Sequence, residues 1–162
     1  MKPVEVTVPD ASDILPGAQF ADAYALSVSG QSLTALAATQ LAFGGAPGWI
    51  NGLLRLRNAA VSLFGLKAGE KSSKPLVEKA GIFPVLHQTP NRVVLGLDDK
   101  HLDFRLLVDV KDAGDGIQTV TASTLVKTHN TFGRVYLAFV KPFHRMIVPA
   151  MLRQLTATAP AP

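Results

Sequence analysis

Three observations predict an α+β fold in which an antiparallel sheet wraps around a long C-terminal helix. Four strand-like runs, Ile82 to Gln88, Arg92 to Leu97, His101 to Val110 and Ile117 to Thr128, follow one another directly. Their connectors, Thr89-Pro90-Asn91, Asp98-Asp99-Lys100 and Asp112 to Gly116, are short and rich in turn formers, the signature of consecutive hairpins. A helical stretch from Phe132 to Leu155 comes next and is the obvious cover for the apolar face of such a sheet.

The remaining elements follow in chain order. Val4 to Val8 alternates like a short strand and stops at Pro9-Asp10. Asp22 to Ser29 reads as a second strand, with Tyr24, Leu26 and Val28 on one side and Ala23, Ala25 and Ser27 on the other. Ser32 is expected to cap a helix over Leu33 to Phe43, closed by Gly44-Gly45. Pro47 opens a second helix that runs to Phe64. Residues 67 to 80 read as an exposed loop. Pro142 and Pro149 should kink the last helix or break it into pieces.

Composition bounds the rest. A chain of 162 residues, 48% hydrophobic and 17% charged, fits one domain over 1–162, with an ordered core of about 14–155. No apolar run approaches the roughly 18 residues of a membrane-spanning helix, so no integral membrane segment is expected. Glu5 and Asp10 interrupt any secretory leader, and a cytoplasmic location is expected. The absence of cysteine excludes a catalytic thiol, disulfides and cysteine-based metal sites. Residues 116 to 162 hold five Lys/Arg and no Asp or Glu, but the basic residues never cluster and no nucleic-acid motif is present, so nucleic acid is not expected as a partner.

The element order resembles the helix-grip architecture of START domains and the birch-pollen allergen superfamily, in which a curved sheet grips the C-terminal helix. The resemblance implies an apolar cavity between the two. The runs Leu95 to Arg105, Thr128 to Leu137 and Pro142 to Ile147, with Leu54-Arg55-Leu56-Arg57-Asn58, resemble a bacterial domain-of-unknown-function family, number 2867, from Leu15 through Arg153. That resemblance implies the domain without an activity. Related domains are appended to dehydrogenase-like domains, which suggests a partner-binding accessory role as one reading.

Candidate chemistry concentrates between Val93 and Met146, where titratable groups are threaded through apolar segments. On the strand from His101, alternation puts His101, Asp103 and Arg105 on one face. A histidine with a carboxylate is the minimum for acid–base work, and His101, Asp103, His129 and His144 are the catalytic candidates. His87, Asp98, Asp99, His101, Asp103, His129 and His144 could supply metal ligands, but their spacing fits no motif, and neither a metal nor a cofactor is expected. Asn130 is placed to cap the last helix. On that helix Arg134, Lys141 and Arg145 share a basic face suited to an anionic ligand or a membrane surface. Arg57 falls inside an apolar helical arc and is expected either to snorkel or to pair with a carboxylate in the Asp98 to Asp103 region.

The sequence therefore supports a domain that binds a small hydrophobic, amphipathic or anionic ligand between sheet and C-terminal helix. Its candidate contacts are Arg57, Asp99, His101, Asp103, Arg105, His129, Asn130, Arg134, Tyr136 and His144. The alternatives are a cofactor-independent enzyme using His/Asp chemistry and a partner-binding accessory domain.

Overall fold

The computed structural model describes residues 1–45, 48, 79–80 and 83–157. Seven antiparallel strands form one sheet in the order β1-β2-β7-β6-β5-β4-β3. They are β1 (Val4–Glu5), β2 (Phe20–Ser29), β3 (Lys79–Ala80), β4 (Phe83–Gln88), β5 (Arg92–Asp98), β6 (Leu102–Gly114) and β7 (Ile117–Thr128). The helices are α1 (Ala35–Phe43), α2 (Thr131–Leu152) and the short α3 (Gln154–Ala157). The four expected hairpin strands are all present, and β2 closes the meander by pairing with β7, Phe20 opposite Val126 and Ser29 opposite Ile117. The α+β class is as expected, and the long C-terminal helix lies across the sheet as in a helix-grip fold.

Residue alternation divides the sheet into two faces. On one, Tyr24, Leu26, Val28, Val93, Leu95, Leu106, Val108, Val120 and Ala122 pack with Ala35, Ala38 and Phe43 of α1 and with Val148, Leu152 and Leu155 of the C-terminal helices. On the other, Val94, Leu107 and Leu125 are covered by Ala11 and Leu15 of the N-terminal segment. That second cover explains why β1 is shorter than Val4 to Val8. Val6 still donates to the Ala23 carbonyl at 2.9 Å, and the chain then turns across the sheet instead of along its edge.

Other features differ from expectation for local reasons. The first helix starts at Ala35 behind Thr34, whose hydroxyl accepts from the Ala37 N–H, and Ser32 does not cap it. The backbone of Leu33 is held outside the helix by the Gln118 amide, which accepts from its N–H at 2.7 Å and donates to its carbonyl at 3.2 Å. β6 runs on to Gly114 because a tight turn with positive φ at Gly114, Asp115 and Gly116 makes the reversal. α2 continues unbroken through Pro142 and Pro149. The carbonyls that the prolines leave without donors belong to Ala138 and Arg145, both exposed residues, where water can satisfy them. The expected helix from Pro47 to Phe64 lies outside the described residues apart from Gly48, as do residues 67–78 of the loop expected over 67 to 80, whose last two residues instead form β3, pairing with Pro84 and Phe83 of β4.

The stretch Thr131–Ala157, 27 residues, is long and apolar enough to cross a membrane by length and composition alone. This corrects the expectation that no segment reaches that threshold. In the fold it is docked on the sheet.

Candidate functional site

The rotation of α2 is fixed by its contacts on two sides. Gly133 abuts the His101 carbonyl, and Val148 and Leu152 are buried, so this row faces the sheet. On one flank the Lys141 ammonium lies 5.1 Å from the centroid of the Phe20 ring, at the β2 side. On the opposite flank Phe132 packs on the His101 ring, at the β5–β6 turn, with centroids 4.6 Å apart. At 100° per residue, Tyr136 and Phe143 lie within about 40° of Phe132 and turn toward β5 and β4. All three are half-buried.

The sheet beneath that flank is apolar and only partly covered. Phe83 and Phe104 meet edge-on with centroids 4.8 Å apart, and Leu97, opposite Phe104, is 51% exposed on the face carrying Leu95. α1 covers the other end of β5 and β6, and α2 lies over β7 and β2. The described residues therefore leave an apolar bay between the sheet and the aromatic flank of α2. His101 stands at its end. Asn130 caps α2 by accepting from the Gly133 N–H at 2.9 Å, so its amide nitrogen faces His101 Nδ1, also at 2.9 Å. Nδ1 must then accept and Nε2 carries the hydrogen. That Nε2–H is buried and has no hydrogen-bond partner among the described residues.

His144 does different work. It reaches from α2 to the sheet, with Nδ1 3.0 Å from Asp22 Oδ2 and Nε2 3.1 Å from Thr124 Oγ1. The carboxylate accepts from Nδ1–H, which leaves Nε2 of the neutral ring to accept from the Thr124 hydroxyl. The atom order is that of a hydrolytic relay, but Thr124 is buried in mid-sheet, 5% exposed. The chain is better understood as a polar clasp holding α2 to β2 and β7. Phe20 packs edge-on to the imidazole. Asp22 was not among the sequence candidates. The available signal was parity, since Asp22 extends the inward row of Tyr24, Leu26 and Val28.

The other candidates lie apart. Asp103 and Arg105 share the Leu107 face, away from α2. There His129 Nε2 lies 2.9 Å from Asp103 Oδ2, and Arg105 donates to Asp98 at 2.6 Å. His101 itself precedes β6, and its ring goes to the helix side. The His129 N–H donates to the His101 carbonyl, yet the two rings take different partners. His144 is eleven residues along α2 from Gly133, or about 16 Å. The histidines thus occupy three separate environments. Asp99 accepts from the Lys100 N–H, Arg134 is exposed beside Thr131, and Tyr136 is on the bay flank. Arg57 lies outside the described residues, and Asp98 and Asp103 have partners within the sheet. Among the described residues no group of three or more candidate ligands could hold a metal. Two open surface grooves, one beside Arg92 and Asp109 and one beside Thr34 and Gln88, sit at the opposite end of the sheet and involve none of the candidates.

Burial and the neighbouring Asp22 carboxylate hold the Tyr24 phenol above its ordinary range. A raised folded-state value means that this contribution to stability is intact below the unfolded phenol pKa and is lost as pH rises through the folded one. Alkaline unfolding should therefore shift to higher pH in Tyr24→Phe. An unchanged midpoint in circular dichroism titrations would exclude Tyr24 as the responsible group.

Residues 14–151 match the profile of a family described as Protein of unknown function (DUF2867). No curated protein shows a significant match to this sequence.

Proposed function

We propose, for a chain that belongs to the DUF2867 family and inherits no activity from it, that the bay between the sheet and α2 binds a small amphipathic ligand. The observation that carries this reading is the pairing, among the described residues, of a partly covered apolar surface with one buried donor that has no hydrogen-bond partner there. Phe83, Leu97 and Phe104 supply the floor, and Phe132, Tyr136 and Phe143 supply the wall. The ligand's apolar body covers the exposed part of that floor at Leu97, and its single acceptor, a carbonyl or acidic head, meets His101 Nε2–H. An apolar site with one well-placed polar group orients a ligand without transforming it. The separation of the three histidines, which take different partners among the described residues, supports binding over acid–base catalysis.

The test is titration with the anionic fluorophore 1-anilinonaphthalene-8-sulfonate, followed by displacement with medium-chain fatty acids. Leu97→Glu places a charge on an already exposed position of the floor and should weaken probe binding about tenfold or more while the fold is retained. His101→Ala should weaken acids by a few-fold and leave an uncharged aromatic probe nearly unaffected. Probe affinity untouched by Leu97→Glu would remove the bay as the site.

A further inference from the structure

Opposite the sheet, α2 presents to solvent a face that most surface helices make polar. Val135, Phe139 and Met146 are 64%, 57% and 63% exposed, and Pro142 is exposed among them. At 100° per residue the four fall within about 60° of one another, centred opposite the sheet-facing His144 row. Arg134, Lys141 and Arg145 run along one flank of this stripe, all exposed, and Arg153 follows the helix end. Among the described residues none of these four cations forms a salt bridge. From 116 to 162 there is no Asp or Glu to neutralise them. Asp22, packed beneath the basic flank, is buried and bound to His144.

We propose that this face of α2 docks on the surface of an anionic lipid bilayer. The apolar stripe enters the boundary between headgroups and acyl chains, and the flanking cations meet the phosphates. Charge complementarity selects this occupant. A second copy offers the same face, whose helix has cations and no carboxylates, so pairing would oppose like charges. A bilayer supplies apolar depth and negative charge in one plane. The helix lies along the surface and does not cross it, because His144, Val148 and Leu152 are committed to the sheet. The inference rests on the outward face and not on the bay, although the two adjoin at Phe139 and Phe143, whose rings are 5.6 Å apart.

The experiment is co-sedimentation of the full chain with phosphatidylcholine vesicles, with and without phosphatidylserine, over a salt series. Binding should require phosphatidylserine and fall as salt rises. Phe139→Ser/Met146→Ser should reduce it about tenfold with the melting temperature unchanged. Arg134→Gln/Arg145→Gln, which leaves the stripe intact, should remove the dependence on phosphatidylserine. Leu97→Glu should leave vesicle binding unchanged, which separates this surface from the bay. Failure to sediment with either vesicle type would overturn the proposal. So would a lipid-free dimer in sedimentation velocity that Phe139→Ser/Met146→Ser dissolves, since the face would then belong to a second copy.

Discussion

His144→Leu should lower stability by about 3–5 kcal/mol, because it leaves the Asp22 carboxylate in the core without a donor. Asp22 is 7% exposed, and its other oxygen, Oδ1, is buried with no hydrogen-bond partner among the described residues. The carboxylate therefore depends on the imidazole. For a chain of this length the loss corresponds to a fall in melting temperature of about 10 °C or more. The cause is the stranded charge and not the missing contact, so a second substitution should reverse much of it. Asp22→Val/His144→Leu replaces the pair with apolar groups and should recover most of the lost stability. Thermal and urea denaturation of the two variants decide the matter. A double variant no more stable than His144→Leu would show that the clasp is not what holds α2 to β2.

The second large effect is expected at Gly133. In an exposed helix, replacing Gly with Ala gains up to about 1 kcal/mol of backbone entropy. Here a Cβ would run into the His101 carbonyl and approach the Thr128 Cβ at 3.5 Å. That carbonyl accepts from the His129 N–H at 2.9 Å and cannot move aside without breaking the junction between β7 and the β5–β6 turn. Packing should outweigh propensity, and Gly133→Ala should be destabilised by about 1–3 kcal/mol. Gly45→Ala is the control, since nothing lies within 4 Å of the added methyl. A stabilised Gly133→Ala would mean that the helix can lift off the turn freely.

These two positions show what a single sequence discloses. The hairpins were legible because turn chemistry is local. Thr89-Pro90-Asn91 and the Asp115-Gly116 reversal mark their strands without reference to anything distant, and β7 begins and ends where alternation places it. Asn130 was legible as a cap for the same reason. Its second role, fixing the tautomer of His101, needs a residue 29 positions away. The Asp22–His144 contact joins residues 122 apart, and no local pattern announces such a partner. The row His101, Asp103, Arg105 failed at its first member because strand alternation begins only at Leu102. The outward face of α2 was half legible. The wheel gives the cations and the apolar arc, but only contacts with Phe20 and His101 say which part of that arc faces the sheet.

The pairing of β2 with β7 also governs the order in which the chain can assemble. β4 to β7 are joined by short turns and can zip together from neighbouring residues, with Gly114 already opposite Ile117 across a tight reversal. β2 must find β7 across almost the whole length of the domain, Phe20 to Val126, so the entropy of closing that loop falls on one late event. α2 cannot engage its clasp until β2 has delivered Asp22. The meander should therefore form the nucleus, with β2 and the seated helix arriving together afterwards. Substitutions at Asp22 or His144 should accelerate unfolding and barely slow refolding, while substitutions at Leu107 or Val108 should slow refolding.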